Sequence, residues 1–295
     1  MRLLVIGRHG QLARCLEERA GEHGGLSLGF AARPGCDLAE PGSAAATIVR
    51  ERPALVVNAA AYTAVDRAEQ EETLAHRINA EAAGEIAAAA AEVGAGLVHV
   101  STDYVFDGSA ERPWREDDAI APLGAYGRTK AAGELAVRER NGDHLILRTA
   151  WVYSPFGQNF VKTMLRLAAE REEIAVVADQ RGSPTNALDL AGLILTLAER
   201  RVGGDRDGWG RTYNAAGTGE ASWAELAEEA MRASAAHGGP VARIRRIGTA
   251  DFPTPARRPA WSVLDQGRLQ EQFGLSLPQW RPSLEPLVAR ILAAG

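Results

Sequence analysis

The sequence predicts an α/β protein built on a doubly wound parallel sheet, with a smaller lobe toward the C-terminus. Three observations carry that expectation. Short apolar runs alternate with helix-period segments over residues 1–150, and strands apolar on both faces belong in a parallel sheet covered by helices. The first apolar run breaks at Gly7 and restarts after Gly10 as a helical pattern. Beyond Trp151 the alternation loses its regularity, so residues 151–295 read mostly as a lobe closing over the sheet.

The elements follow in order. Residues 2–7 form a strand, 11–22 a helix and 26–32 a second strand. Residues 43–52 form a helix with Ser43 as N-cap, because a hydroxyl can accept a bond from the first free amides. Residues 54–58 are a buried strand, 71–93 one long Ala-rich helix and 96–101 another strand. A helix over 126–140 and a strand over 144–149 complete the first part, residues 1–150. Further on, 159–171 is helical, 174–177 a short strand, and DQRGSPTNA a loop. Residues 189–200 are helical, 201–211 a Gly/Asp-rich surface loop, and 212–215 a strand that can rejoin the sheet, so the first domain includes about 186–215. Residues 222–234 are helical and 248–258 a Pro-broken segment.

Composition narrows the function classes. The chain is 46% hydrophobic and 24% charged, ordinary for a globular protein. Its net charge is −5 and no basic block occurs, which argues against a nucleic-acid polymer as partner. No apolar run approaches the roughly 20 residues of a membrane span. The opening MRLLVIGRHGQ turns polar after one short apolar run and does not read as a signal peptide. Cys15 falls on a helix face with Leu12, Leu16 and Ala20, a small core residue, and nothing requires it to pair with Cys36. A cytoplasmic setting is expected. The histidines, His9, His23, His76, His99, His144 and His237, show no metal spacing, and His99 reads as a satisfied sheet residue. The acidic run Asp66, Glu69, Glu71 and Glu72 reads as a solvated helix start.

Two constellations carry chemistry. In AYGRTKAAGE, Tyr126 and Lys130 stand at i, i+4 on one helical face. A tyrosine titrates near pH 10, too high for easy proton exchange at neutrality, and a nearby ammonium lowers that value. Thr102, at the end of an apolar strand, can hydrogen-bond a substrate oxygen beside the phenol. Together these groups can protonate an alkoxide forming from a carbonyl. The bland alternative is a Tyr packed on the core with Lys covering its ring. Lys130 is one of only two lysines, with Lys162, in an Arg-rich chain, so an ammonium has been kept where a guanidinium would be too broad.

The second constellation is Gly7-Arg8-His9-Gly10-Gln11-Leu12-Ala13. Gly7 allows the tight turn, Gly10 lets backbone approach a pyrophosphate at the helix N-terminus, and Ala13 lets helix pack on strand. This is a Rossmann-like signature, although GxxGxxA meets the dinucleotide fingerprint only in part. No acid ends the second strand to bind a ribose 2′-hydroxyl, while Arg8 and Arg33 can meet a 2′-phosphate; NADPH is favoured and NADH stays open. Asp37 is placed to meet an adenine amine. Small residues in NAAAYT leave room for a cofactor across the third strand's end.

The segments GRHGQLA, CDLAEP, NAAAYTAVDRAE, STDYVFDG, YGRTKAAGE, RTAWVYSPFGQNF, DQRGSPTNA and RRPAWSVLD occur in this order. With them the chain closely resembles, over nearly its whole length, the dTDP-4-dehydrorhamnose reductase family of extended short-chain dehydrogenases/reductases. The resemblance implies NAD(P)H-dependent reduction of the 4-keto group of dTDP-4-dehydro-6-deoxy-L-mannose to dTDP-L-rhamnose. It implies Tyr126 as general acid, Lys130 as its partner and ribose anchor, and Thr102 orienting the keto oxygen. It implies Asp103 and Tyr104 bordering the sugar and Trp151 packing on it. Gly7, Gly10, Gln11, Leu12, Asp37, Leu38, Ala61, Tyr62 and Thr63 would hold the cofactor. Ala13 stands where Gly is commoner. Some relatives pair through a magnesium-bridged dimer interface, so a homodimer with Mg2+ is implied by resemblance only.

Trp151 has its own rationale. It follows the fifth strand directly, at the carboxyl end where ligands gather, and an indole covers the apolar side of a deoxyhexose. The alternative is a Trp that packs the smaller lobe onto the sheet. Two rival functions remain: a 4-ketoreductase for another dTDP-deoxysugar, and a non-catalytic binding subunit resembling the regulatory subunit of methionine adenosyltransferase. Thr102, Tyr126 and Lys130 together argue against the latter.

Overall fold

The computed structural model describes residues 1–294. Strand β1 (Arg2–Ile6) leads through a turn into α1 (Gln11–Arg19), then β2 (Ser27–Ala31), α2 (Ser43–Glu51) and β3 (Leu55–Asn58). Short helices α3 (Val65–Ala68) and α4 (Glu72–His76) precede a π-helical turn, Arg77–Glu81, and α5 (Ala82–Glu92). Then come β4 (Gly96–Thr102), α6 (Ala125–Arg140), β5 (His144–Thr149) and β6 (Val152–Tyr153). The second part holds α7 (Phe160–Glu170), β7 (Glu173–Val177), β8 (Arg181–Gly182), β9 (Thr185–Asn186), α8 (Ala187–Val202) and β10 (Arg211–Asn214). It ends with β11 (Ala221–Ser222), α9 (Trp223–Ala236), β12 (Arg243–Ile247), β13 (Trp261–Ser262), α10 (Gly267–Phe273) and α11 (Trp280–Ala293).

The main sheet has six strands in the order β10-β5-β4-β3-β1-β2, every pair parallel. Its strands are apolar on both faces because both are covered. On one face Leu12 and Leu16 of α1 meet Leu190 and Ile194 of α8 over Leu3, Val57 and Leu145. On the other, Ile48 of α2 and the alanines of α5 lie over Leu4, Ile6 and Ile146. Cys15 is fully buried in the first layer, and Cys15 and Cys36 are both free thiols. The order reverses at β1, which has β2 on one side and β3 on the other. Ligand crevices in such sheets open beyond the carboxyl ends at that switch point.

The lobe has its own core: Tyr153, Val161 and Leu165, with Ile174, Met231, Trp280 and Leu284. Helix α9 starts on a capping box, Ser222 with Glu225. β10 comes from beyond the lobe's first elements and lies beside β5, so the chain leaves the sheet and returns to it.

The stretch 71–93 is one continuous helix over residues 72–92, with a π-turn inside it where Asn79 turns inward as a polar brace. Three other local readings need correction. Gly42, at φ 74°, precedes α2, and the Ser43 hydroxyl accepts from the Asp37 amide at 3.0 Å instead of capping the helix. DQRGSPTNA contains two short strands, β8, which pairs with β11 and β13, and β9, which pairs with β6. The acidic run is engaged: Glu69 accepts from the Ala125 amide at 2.8 Å, Glu71 from the Tyr62 hydroxyl at 2.5 Å, and Asp66 pairs with Arg258 at 2.8 Å.

Candidate active site

The turn after β1 lies at the switch point. Gly7 has φ +100°, and a Cβ there would stand 3.3 Å from the Cβ of Ala60, so the turn runs against the loop following β3. Gly10 has open space where a side chain would project. Helix α1 begins without a side-chain cap and without an acid in its first turn. Its first amides and the positive end of its dipole are therefore available to an anion. A pyrophosphate fits that cradle. Arg8 lies 3.5 Å from Glu17 and over the Phe30 ring, while Arg33 is exposed. The side chains of Leu12 and Leu38 are buried. Asp37 is partly engaged, accepting from the Ala39 amide at 3.0 Å. The Gln11 side chain turns away: its Oε1 accepts from Ser154 Oγ at 2.9 Å and Asn159 Nδ2 at 3.0 Å.

The loop after β3 carries Ala61, Tyr62 and Thr63. Asn79 clamps it, accepting from the Tyr62 amide at 2.8 Å and donating to the Tyr62 carbonyl at 3.1 Å. Asn79 also donates to Thr129 Oγ1 at 3.1 Å, one residue before Lys130. Tyr62 and Tyr126 pack on the same small group, Ala68, Ala75 and Ala125. Asn79 had only a helix-period signal in an Ala-rich stretch, and sequence reasoning passed over it.

At the carboxyl end of β4 the hydroxyl of Thr102 lies beside that of Tyr126. Thr102 Oγ1 donates to Asp103 Oδ1 at 2.9 Å and accepts from the Tyr104 amide at 3.2 Å. The Tyr104 and Tyr126 rings meet edge to face at 5.6 Å. Burial pushes the Tyr126 phenol up to about 12, and the nearby Thr102 hydroxyl opposes that rise. Burial also raises the Tyr104 phenol. Asp103 is 2% exposed, its Oδ2 is buried without a partner, and burial lifts its carboxyl to about 6 while the nearby Ser262 and Thr102 hydroxyls oppose the rise.

Lys130 corrects a simple expectation. Its ammonium does not lie against the phenol. It donates to the Val100 carbonyl at 2.7 Å and stands 3.5 Å from His99 Nε2. It is 2% exposed, and burial brings its pKa down to about 8 while Glu134 opposes the fall. The expected lowering of the phenol by a neighbouring ammonium is absent here, because the strand carbonyl competes for that ammonium.

Beneath Lys130 lies a buried charge cluster. Glu134, 0% exposed, receives both prongs of Arg148, 1% exposed, at 2.9 and 2.7 Å. Ser101 and Arg138 add bonds of 2.6 Å each. Burial works against the carboxylate, and Arg148, Ser101 and Arg138 outweigh it, holding Glu134 below its usual range. The signal was available: Tyr126, Lys130 and Glu134 fall at i, i+4 and i+8, and Arg148 is the one charge in the buried strand HLILRT.

Trp151 occupies a strained backbone position, φ 47°, and stacks on Trp223 with ring centroids 3.5 Å apart. A Cβ on Gly182 would lie 2.4 Å from the indole, so only glycine lets this sandwich form. Trp151 thus packs the lobe to the sheet and remains partly exposed. Nearby chain forms a cleft of about 490 Å³ lined by residues from Asp179 to Gln180 and from Thr249 to Ala260. Arg257 is exposed there, and Arg258 Nη1 is buried without a partner.

Among the described residues, no group of His, Cys, Asp and Glu converges as a metal site, and no helix is long and apolar enough to cross a membrane.

The chain matches the family model described as RmlD substrate binding domain over residues 1–293. A dTDP-4-dehydrorhamnose reductase of Sinorhizobium fredii is 43% identical over 296 residues, 100% of this chain and 99% of the relative. A Streptomyces antibioticus protein named "Probable dTDP-4,6-dihydroxy-2-methyloxan-3-one 4-ketoreductase" is 41% identical over 295 residues, 100% of this chain and 97% of the relative. The crystal structure of dTDP-4-dehydrorhamnose reductase from Bacillus anthracis in complex with NADP matches with TM-score 0.89 at 35% identity, covering 98% of this chain and 99% of that one.

Proposed function

This chain belongs to the RmlD substrate binding domain family, and we propose that it reduces the 4-keto group of dTDP-4-dehydro-6-deoxy-L-mannose to give dTDP-L-rhamnose. It is an NADP-dependent oxidoreductase of the dTDP-4-dehydrorhamnose reductase type. The observation that carries the reading is the pair of hydroxyls, Thr102 and Tyr126, brought side by side at the carboxyl end of β4.

NADPH, when bound, supplies the hydride. The α1 N-terminus with Gly7 and Gly10 holds its pyrophosphate, Ala61, Tyr62 and Thr63 lie along it, and Asp37 and Leu38 border its adenosine end. Thr102 and Tyr126 receive the keto oxygen. Tyr126 delivers a proton to that oxygen as charge develops on it, and the bond from Thr102 is passed from Asp103 to the substrate. A phenol held at about 12 keeps its proton until an alkoxide, a far stronger base, forms beside it. Lys130 anchors the ribose. Asp103 and Tyr104 border the sugar, and Trp151 offers an indole edge to it. The cleft with Arg257 and the unpartnered Nη1 of Arg258 suits a diphosphate, since guanidinium forks match its oxygens.

A second reading, reduction of a different dTDP-linked 4-ketosugar, is favoured by the Streptomyces antibioticus relative. NADPH oxidation with enzymatically made dTDP-4-dehydro-L-rhamnose, followed by chromatography against authentic dTDP-L-rhamnose, decides between them. Turnover to another epimer, or only with another ketosugar, would favour the second reading. A cytoplasmic setting goes with either. The homodimer and Mg2+ rest on family resemblance, and sedimentation with and without EDTA tests both.

A further inference from the structure

We propose that His99 is a positioning residue for Lys130: its Nε2 meets the Lys130 amine while Asn58 fixes its other ring nitrogen, so that the remaining N–H of Lys130 is directed to the site. This rests on the catalytic reading of Lys130 given above.

Three buried side chains form a row behind that site. Asn58, His99 and Lys130 are 2%, 1% and 2% exposed. Asn58 and His99 are register partners on β3 and β4, and their side chains meet at 3.1 Å between Asn58 Nδ2 and His99 Nδ1. On the far side His99 Nε2 stands 3.5 Å from Lys130 Nζ. The Val100 carbonyl, one residue on, takes a second Lys130 hydrogen at 2.7 Å. A lysine has a long, flexible stem, and two fixed partners remove most of its freedom. Within this row the histidine faces an amine and an amide and no carboxylate.

The proton pattern follows from the partners. Burial, and then the Lys130 charge, hold His99 well below its ordinary pKa, so the ring is neutral. A neutral imidazole has one donor and one acceptor nitrogen. Toward an ammonium, Nε2 must be the acceptor; Nδ1 then carries the hydrogen and needs the amide oxygen of Asn58. Toward an uncharged amine, Nε2 carries the hydrogen and Nδ1 accepts from the Asn58 amide nitrogen. The two ends of an amide are nearly equal in shape, so a turn of Asn58 serves both cases, giving up only the long 3.4 Å bond that its Oδ1 accepts from the Ala60 amide. With Lys130 at about 8, both lie within the working range. The row therefore satisfies Lys130 in either state and keeps it in place. Other charged groups facing the pair are Glu134 and Arg138 from α6 and His144 from β5, and the variants below leave them untouched.

The test uses the full-length protein, NADPH and the keto-sugar, with turnover measured against pH. His99→Phe keeps the ring volume and removes both nitrogens. It should lower kcat roughly ten- to a hundredfold, the scale of a catalytic group out of place, with a smaller change in KM. Loss of the acceptor disfavours the ammonium, so the basic limb of the profile should move to lower pH. His99→Gln, which returns a carbonyl near the Nε2 position, should recover most of kcat and the wild-type limb. Asn58→Ala, which keeps the imidazole but frees its angle, should shift both readouts in the same direction by less, and it stands in if His99→Phe does not fold. An unmoved basic limb in His99→Phe, or in Asn58→Ala if that is the variant available, would overturn the proposal. So would equal losses in His99→Gln and His99→Phe. Tyr126→Phe run alongside separates the two layers. If it stays active, the underlying reading fails; if it is inactive while His99→Phe matches wild type, only the positioning role falls.

Discussion

Gln11 and Asn159 are joined by a 3.0 Å hydrogen bond across 148 residues of chain. The same Gln11 oxygen takes Ser154 Oγ at 2.9 Å. The first residue of α1, at the glycine turn after β1, is thus tied to the loop that opens the lobe. Asn159 is also the N-cap of α7, so one amide fixes a helix start and that turn together.

Removing that acceptor leaves one Asn159 N–H short of a partner, while the Ser154 hydroxyl keeps the Phe156 carbonyl at 2.8 Å. Gln11→Ala should cost about 1–3 kcal/mol, read as a lower urea midpoint. Gln11→Glu keeps an acceptor and should cost clearly less. Equal costs would mean that the two bonds do not couple the turn to the lobe.

Tyr126→Phe keeps the ring that packs on Ala68, Ala75 and Ala125 and removes the proton donor. Turnover should fall about 10²–10⁴-fold, with NADPH affinity little changed in a fluorescence titration. Near-full turnover would remove Tyr126 from the mechanism.

Cofactor choice follows charge at the end of β2, where Arg33 is exposed and no acid follows Ala31 directly. The enzyme should show a higher kcat/KM with NADPH than with NADH. Arg33→Ala and Arg8→Ala should each narrow that ratio by up to roughly tenfold, the scale of one charge-assisted contact. A wild-type preference for NADH would refute the charge argument.

Trp151 has a structural and a ligand-facing side, and Trp151→Ala should touch both. Loss of its stack on Trp223 should cost roughly 3–5 kcal/mol, seen in thermal melts. In the protein that remains folded, KM for the keto-sugar should rise more than that for NADPH. Unchanged sugar kinetics would leave Trp151 with packing alone.

Glu134 is buried with Arg148 and Arg138 against it. Glu134→Gln leaves the Arg148 cation, 1% exposed, without its counter-charge. Such losses typically cost about 3–5 kcal/mol. Urea denaturation measures this directly, and a cost under about 1 kcal/mol would mean that the Glu116 carbonyl and the Phe106 ring suffice for Arg148.

The sheet was legible because parallel strands buried on both faces, such as Leu3–Ile6 and Leu55–Val57, leave little else for an apolar run to be. That Thr102 and Tyr126 come together was legible from motif and helix spacing. The direction of Lys130 was not: spacing puts Tyr126 and Lys130 on one face, but the Val100 carbonyl comes from a neighbouring strand. The partners of Asp66 and Glu69 were hidden for the same reason, lying 192 and 56 residues away. Ser43 carried the right residue type for a cap, and Asp37 claimed its hydroxyl. The π-turn was masked by alanines, which favour helix without marking where its pitch changes.

The return of β10 to the sheet has a consequence for synthesis. β5 is finished at Thr149, and its outer neighbour begins only at Arg211, after the lobe's first helices. A ribosome adds about 5–20 residues per second, so the flank of β5, with Leu145, Ile146 and Leu147, stays bare for several seconds as the nascent chain lengthens. During that interval its open backbone groups can template pairing with another chain. The first domain cannot close until the lobe is partly made, and a message truncated near residue 150 would release a sheet with a raw side.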